Sequence, residues 1–100
     1  MTQPMYEWDE AKNAANIAKH GVGFDLACRI FEGPVFTQRD TRQDYGEIRE
    51  ISIGQVEGVA ILVVVHTERE SRRRLISARP ASQRERTRYA EALRQAHDPH

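Results

Sequence analysis

The sequence predicts a small α+β protein with two N-terminal helices, an antiparallel sheet of three or four strands, and a C-terminal helix. Near both ends of the chain, apolar residues recur at three- and four-residue spacing, which is typical of helices. The middle of the chain instead contains an alternating run and a continuous apolar run, which are typical of strands. A length of 100 residues fits one domain over residues 1–100, and 39% hydrophobic residues indicate a buried core.

The first third of the chain contains two predicted helices. Asp9 is expected to cap the first helix, and Gly21 is expected to end it in a left-handed conformation. The second helix is predicted from Phe24 to Phe31, with Asp25 as its cap and Gly33-Pro34 as its stop.

Three strands are predicted in the middle of the chain. Residues 47–56 alternate, Glu57-Gly58 is expected to form a tight turn, and residues 59–65 are apolar on both faces. The second strand should therefore lie at the centre of a sheet that is covered on both sides. A third strand over residues 74–79 is expected to stop at Pro80.

Two polar stretches are predicted as connections, and the remaining residues as a third helix. Residues 38–47, which follow a brief apolar Val35-Phe36, are expected to form a surface loop, and residues 67–73 a second connection. Ser82 and Glu85 have the spacing of a capping box, so a helix is expected from there to about His97. Residues 97–100 are predicted to be a frayed tail, and the helices are expected to pack against one side of the sheet.

Charge is distributed unevenly along a chain whose formal net charge is zero. Residues 1–36 contain 3 basic and 5 acidic side chains, residues 37–68 contain 3 and 6, and residues 69–94 contain 9 and 3. All nine bases in the last segment are arginine. Guanidinium groups bind phosphate oxygens two at a time, so this segregation of charge indicates a polyanionic partner. The alternative for most of these arginines is a solvated charged face.

Composition also excludes several classes of protein. The longest uncharged apolar stretch is far shorter than the roughly 20 residues of a membrane-spanning helix, and the N-terminus lacks the pattern of a signal peptide. We therefore expect a cytoplasmic protein without membrane contact. A single cysteine permits no internal disulfide, and the four histidines show no short ligand spacing, so neither a metal site nor a cofactor is predicted.

Five positions stand out as candidates for chemistry. Arg69 and Arg79 flank two predicted strands and are expected to converge at the margin of the sheet. His66 ends the apolar strand and fits either a general acid or base, or a residue that merely caps the strand. Lys19 and His20, at the end of the first helix, are open to the same two interpretations.

Two signatures, one near each end of the chain, stand out together with residues between them. In order they are Tyr6-Glu7-Trp8-Asp9-Glu10-Ala11-Lys12, Asn16, Lys19-His20-Gly21-Val22, Phe24, Arg49, Ile53-Gly54, Val64-Val65, Thr67, Arg69, Arg74-Leu75-Ile76-Ser77-Ala78-Arg79, Arg84-Glu85-Arg86 and Tyr89. Over about residues 5–90 and in matching order, this set resembles BrnT-type toxins, the ribonuclease halves of type II toxin-antitoxin modules. Two departures adjoin the expected site: Glu70 replaces a common glycine, and Pro80 replaces a common basic residue.

The resemblance implies a RelE-like fold and a metal-independent ribonuclease that cleaves RNA and inhibits translation. It also implies neutralisation by a BrnA-like antitoxin with a ribbon-helix-helix part, through which the complex contacts operator DNA and represses its own operon. The alternative from another class is a non-catalytic nucleic-acid-binding module that uses the arginine-rich segment.

A ribonuclease without a metal ion needs cationic groups at the scissile phosphate. We expect Arg69 and Arg79 to clamp that phosphate, with Lys19 or His20 contributing charge or proton transfer. Further RNA contacts are expected from Arg74, Arg84 and Arg88. The remaining candidates for catalysis, which the sequence does not rank, are Glu7, Glu85, His66 and Tyr89.

Overall fold

The computed structural model describes residues 5–58 and 60–97. Five strands, three α-helices and one 3₁₀ helix follow one another along these residues. In chain order they are β1 (Met5–Glu7), α1 (Glu10–His20), α2 (Phe24–Ala27), the 3₁₀ helix (Cys28–Glu32), β2 (Val35–Arg39), β3 (Glu50–Val56), β4 (Ala60–Arg69), β5 (Arg72–Pro80) and α3 (Gln83–His97). The predicted frayed tail lies outside the described residues except for His97, where α3 ends.

The strands form one mixed sheet in the order β1-β5-β4-β3-β2. Strand β1 runs parallel to β5, and the other neighbours are antiparallel. The α+β class is confirmed, whereas the prediction of a purely antiparallel sheet of three or four strands is wrong. The missed strand β1 has only three residues, too few to show a periodic pattern, and it pairs with residues 72–74.

The predicted loop over residues 38–47 is wrong at its first two residues, which belong to β2, whereas residues 40–49 do connect β2 to β3. Gln38 and Arg39 pair with Ile51 and Glu50, so the strand continues past the apolar Val35-Phe36. Because β2 lies at the edge of the sheet and is largely exposed, its residues do not need to be apolar. This correction matters for the site, since it places Gln38 on the sheet.

Helix α1 has the predicted ends. Asp9 Oδ1 accepts hydrogen bonds from the backbone N–H groups of Ala11 (2.8 Å) and Lys12 (3.1 Å). At the other end, Gly21 has φ +72° and donates its N–H to the carbonyl of Ile17 at 2.8 Å. The positive φ favours glycine at this position.

Only the first part of the predicted second helix is an α-helix. One α-turn, Phe24–Ala27, continues as a 3₁₀ helix, and its N-cap is Gly23 instead of the expected Asp25. Phe24, Ala27 and Ile30 are fully buried at a spacing of three residues. This spacing matches the three residues per turn of a 3₁₀ helix, so burial of these side chains accounts for the tighter winding.

Two short turns connect the central strands. Glu57 and Gly58 have φ +54° and +68°, as a tight hairpin turn requires, and the predicted turn is confirmed. The predicted connection over residues 67–73 is wrong, because β4 and β5 continue to a two-residue turn at Glu70 and Ser71, with φ +52° and +69°. Charged cross-strand pairs give this hairpin the composition of a loop; one example is Glu68 opposite Arg73.

The helices cover both faces of the sheet, which corrects the predicted one-sided arrangement. On the first face, Leu62 and Val64 of β4 pack with the buried residues of α2 and the 3₁₀ helix. On the second face, Val63 of β4 packs with Tyr89 of α3. Strand β4 is central and apolar on both faces, as predicted, so each of its faces requires a covering layer.

Asn16 of α1 closes the outer edge of β5 beyond the short strand β1. Its Nδ2 donates to the carbonyl of Ala78 at 2.7 Å, and its Oδ1 accepts from the N–H of Ala78 at 3.1 Å. Nδ2 also donates to the carbonyl of Val22 at 2.8 Å. The side-chain amide thus occupies the place of a neighbouring strand and fixes α1 against the sheet.

Candidate active site

A cleft of about 120 Å³ lies between α3 and the second face of the sheet. Its floor is apolar and its rim is polar and charged. The lining residues are Phe36, Gln38, Ile51, Ile53, Arg79, Glu85 and Arg88. Strands β2, β3 and β5 and helix α3 all contribute, so the cleft exists only in the folded chain.

Arg79 and Glu85 form a bidentate ion pair at the rim of the cleft. Both guanidinium–carboxylate distances, Nη1–Oε1 and Nη2–Oε2, are 2.7 Å. The Arg79 hydrogen bonds lower the pKa of Glu85 to about 2, against the opposing effect of burial. The same bonds raise the pKa of Arg79. Both groups are therefore ionised at neutral pH.

The start of α3 holds this ion pair in place. Glu85 Oε1 accepts from the N–H of Ser82 at 2.8 Å, and Ser82 Oγ accepts from the N–H of Glu85 at 3.2 Å. The predicted capping box is confirmed, and it orients the carboxylate toward Arg79, which lies at the end of β5. A guanidinium fixed in this way needs little reorganisation to bind an oxyanion.

The other predicted RNA-contacting arginines occupy different positions. Arg88 lines the cleft beside Arg79, and Arg84 lies one helical turn before it on the same side of α3. Arg74 lies farther along β5, where its Nη1 is 3.1 Å from a carboxylate oxygen of Glu7. The cleft thus brings together Arg79 and Arg88, but not Arg74.

Arg69 and Arg79 do not lie close together. The register of β4 and β5 separates them, so they do not form the expected two-arginine clamp. Arg69 pairs with Arg72 at one end of the β4–β5 hairpin, whereas Arg79 pairs with Val63 near the other. From Val63 to Arg69 is six residue steps along β4, which span about 20 Å. Arg69 instead lies 3.3 Å from Glu47.

Lys19 and His20 lie beside β5 and outside the cleft. They line a shallow depression of about 240 Å³ with Ser77, two residues before Arg79 on the same strand. His20 also borders a second depression, which reaches Pro80 at the end of β5. The structure therefore places both residues near the strand that carries Arg79, at its outer edge.

His66 is buried on the first face of the sheet, away from the cleft. It is 1% exposed, its ring packs edge-on against Phe31 at 5.1 Å between centroids, and a ring nitrogen lies 2.7 Å from Ser52 Oγ. Burial, followed by the charge of Arg73, lowers the pKa of His66 to about 4. The imidazole is uncharged at neutral pH and out of reach of a substrate in the cleft.

The other candidates that the sequence does not rank lie at different distances from Arg79. Glu7 lies between Arg72 and Arg74, and Tyr89 is buried, with its hydroxyl donating to the carbonyl of Pro34 at 2.8 Å. Of these four candidates, Glu85 is the one that contacts Arg79.

Sequence reasoning missed the contribution of β2 to the cleft. Phe36 and Gln38 have the two-residue spacing of neighbours on one face of a strand, and this spacing is the sequence pattern from which their shared position could be predicted.

A mixed sheet covered on both faces, with a guanidinium held at the rim of a small cleft, defines a small α+β protein with a cationic site. The family model described as ribonuclease toxin, BrnT, of type II toxin-antitoxin system matches residues 8–85. The chain belongs to this family, and the resemblance predicted from its signatures is confirmed.

A solved structure supports the assignment. The chain is similar to the Brucella abortus ribonuclease toxin, BrnT, whose crystal structure was determined at 1.1 Å resolution. The two share 35% sequence identity with a TM-score of 0.60, over 79% of this chain and 99% of that chain. No curated protein matches the chain. Among the described residues, no helix combines the length and apolar character needed to cross a membrane.

Proposed function

We propose that the chain is the toxin of a type II toxin-antitoxin module and acts as a metal-independent endoribonuclease that inhibits translation by cleaving RNA. The observation that carries the mechanism is the bidentate Arg79–Glu85 pair at the rim of the cleft. Such a pair presents a planar guanidinium in the geometry that also fits two phosphate oxygens.

In the proposed reaction, the scissile phosphate takes the place of the Glu85 carboxylate on Arg79. Loss of its partner returns the pKa of Glu85 toward the ordinary value, which makes this carboxylate a stronger base. Glu85 then accepts the proton of the ribose 2′-OH, and the 2′-oxygen attacks the neighbouring phosphorus. The bond to the 5′-oxygen breaks, that oxygen is protonated, and a 2′,3′-cyclic phosphate and a 5′-OH result.

Other basic residues hold the RNA on either side of this position. Arg88 in the cleft and Arg84 one turn before it bind phosphates along α3. Lys19 and His20 bind on the other side, beside Ser77 at the edge of β5, where either can also supply a proton. Arg69 and Arg74 lie farther from the scissile phosphate and contribute to the attraction of RNA.

The first experiment tests cleavage itself. Purified full-length protein, incubated with single-stranded RNA in EDTA, is expected to give fragments that end in cyclic phosphate. Arg79→Ala should slow cleavage about 100- to 1,000-fold, by analogy with loss of one oxyanion donor. Arg79→Lys should also lose most of the wild-type cleavage rate, because an ammonium group cannot bind two oxygens in a plane. Arg29→Ala, which removes an exposed arginine from the 3₁₀ helix on the opposite face of the sheet, is the matched control and should cleave within about twofold of the wild type.

Glu85→Gln distinguishes a catalytic carboxylate from a structural one. Removal of the anion that competes for Arg79 should tighten RNA binding, while loss of the base should lower kcat. A variant that binds more weakly and retains kcat would refute the role of Glu85. RNA that stays intact over a full enzyme titration would favour a non-catalytic binding module instead.

The antitoxin is proposed to be BrnA-like, with a ribbon-helix-helix part that links the complex to operator DNA. The type II family implies an antitoxin, and a cover for the cationic cleft requires acidic or polar groups. A cytoplasmic location is part of the same proposal, and an RNA substrate and such a partner support it. The test is a neighbouring gene whose product restores growth and co-purifies with the chain; failure to restore growth would exclude that product.

A further inference from the structure

A second polar cluster lies on the first face of the sheet, opposite the cleft. Glu50, His66 and Glu68 each place one ligand atom within 4.8 Å of those of the other two. Glu50 is directly opposite His66 in the β3–β4 pair, and Glu68 follows His66 by two residues. All three side chains therefore leave the sheet on the same face.

Within the described part of the chain, His66 has one ring nitrogen without a partner, and it is the nitrogen left for a ligand, because Nε2 contacts Ser52. Its Nδ1 has no hydrogen-bond partner among the described residues, although the side chain is 1% exposed. Buried polar atoms are nearly always paired, because an unpaired one loses its hydration without compensation. The cluster therefore combines one unpaired imidazole nitrogen with two carboxylates, a set of donors that a cation would complete.

The opposite side of the ring is held as in many metal sites. His66 Nε2 lies 2.7 Å from Ser52 Oγ, which lies 2.7 Å from Thr37 Oγ1. With Nε2–H donating to Ser52, and Ser52 donating to Thr37, the Nδ1 lone pair is free to bind a metal ion. Hydrogen bonds of this kind orient metal-binding histidines and fix their tautomer.

We propose that Glu50, His66 and Glu68 form a binding site for a divalent transition-metal ion, with Zn²⁺ as the best match to the donors. One imidazole nitrogen and two carboxylate oxygens suit Zn²⁺, which completes its coordination with water. Bonds of about 2.1 Å put the ligands of tetrahedral Zn²⁺ roughly 3.4 Å apart, so the carboxylates need to move toward the fixed ring by at most about 1.4 Å. The site binds its ion on the face away from the ribonuclease cleft, so the metal takes no part in RNA cleavage.

Arg73 competes with the ion. Its Nε is 2.6 Å from Glu68 Oε1, and its guanidinium lies 4.3 Å from the ring centroid of Phe31. The Arg73 charge therefore opposes a cation at Glu68, and an ion bound through Oε1 would displace this contact. Removal of the arginine charge should then tighten metal binding, an effect that a cluster with a purely structural role would not produce.

The test uses full-length protein that has been treated with EDTA and then freed of it. Titration with ZnCl₂, followed by calorimetry and by the thermal unfolding midpoint, should show one ion per chain and a raised midpoint. Glu50→Gln and Glu68→Gln should each weaken binding about tenfold or more. Glu91→Gln, which removes an exposed carboxylate from α3, is the control and should bind as the wild type does.

Two further results decide the proposal. Arg73→Gln should bind Zn²⁺ more tightly than the wild type, whereas unchanged or weaker binding would overturn the competition with Glu68. Equal binding by the wild type, Glu50→Gln and Glu68→Gln would overturn the site. Arg79→Ala should bind Zn²⁺ normally, so loss of ribonuclease activity and loss of the metal site are separately observable.

Discussion

Substitution of Asn16 tests whether a side chain can replace a missing strand. In Asn16→Ala, three hydrogen bonds disappear: two with the backbone of Ala78 and one with the carbonyl of Val22. Asn16 is 7% exposed and Ala78 is fully buried, so water reaches the freed backbone groups poorly. Strand β1 ends too early to pair with Ala78 in its place.

The expected loss can be estimated from these contacts. Three hydrogen bonds at a net value of about 1 kcal/mol each give roughly 3 kcal/mol, with more where a backbone group stays dry. Alanine returns about 0.5 kcal/mol through its higher helix propensity. We therefore expect Asn16→Ala to lower the free energy of unfolding by about 3 kcal/mol, a large share of the roughly 5–15 kcal/mol of a domain this size.

Asn13→Ala is the matched control in the same helix. Asn13 makes one comparable bond, with its Oδ1 accepting from the N–H of Phe24 at 2.8 Å, and its replacement should cost about 1 kcal/mol or less. Asn16→Asp keeps the acceptor but turns a carboxylate toward two carbonyl oxygens, so it should be at least as damaging as Asn16→Ala. Urea unfolding followed by far-UV circular dichroism gives all three values. A difference between Asn16→Ala and Asn13→Ala below about 0.5 kcal/mol would refute the strand-replacement argument.

Three more predictions concern stability. The Glu85 ion pair stabilises the fold fully above pH 4.5 and loses this effect as pH falls through about 2. Glu85→Gln should therefore flatten the acid side of the stability curve, by about 1 kcal/mol after allowance for solvent screening, and an unchanged curve would argue against the pair. Gly54→Ala should destabilise by about 1–3 kcal/mol in urea unfolding, because its Cβ would lie 2.7 Å from Ile30 Cβ; a neutral effect would mean that the 3₁₀ helix yields easily. Asp40→Asn should cost about 1–2 kcal/mol by the same assay, since it breaks the bidentate contact of a buried carboxylate with Arg42, and no loss would show that this contact is dispensable.

The sequence predicts correctly those helices, strands and turns that are determined by residues close to one another in the chain. The Asp9 cap, the turn at Glu57-Gly58, the central strand β4 and the capping box of α3 follow from short-range rules that the fold satisfies. Strand β1 could not be predicted in this way. Its three residues are held by β5, more than 60 residues away, and by nothing in their own pattern.

The sequence predicts individual residues of the candidate site but not how they are arranged in space. Arg79 and Glu85 were both singled out, yet their pairing depends on the short link from β5 to α3. The sequence predicts Arg69 near Arg79 because the segment that contains Arg69 has the composition of a loop. Continuation of β4 to Arg69 moves this residue to the far end of the hairpin, and an irregularity in the strand pairing at Val65/His66 changes which side chains of β5 share a face.

The arginine-rich segment divides into paired and unpaired charges. Five of its nine arginines lie within 4.0 Å of a carboxylate oxygen, and all five are on the sheet: Arg69, Arg72, Arg73, Arg74 and Arg79. The four on α3, which have no such ion pair among the described residues, are Arg84, Arg86, Arg88 and Arg94.

The unpaired positive charge of the segment therefore lies on α3, while the charge of Arg79 is neutralised by Glu85. In the proposed mechanism, RNA attracted to α3 replaces this carboxylate with a phosphate, on a guanidinium that is already oriented. In the proposed mechanism this exchange lets a chain of zero net charge bind a polyanion, because the acid that neutralises Arg79 is the group that the reaction uses.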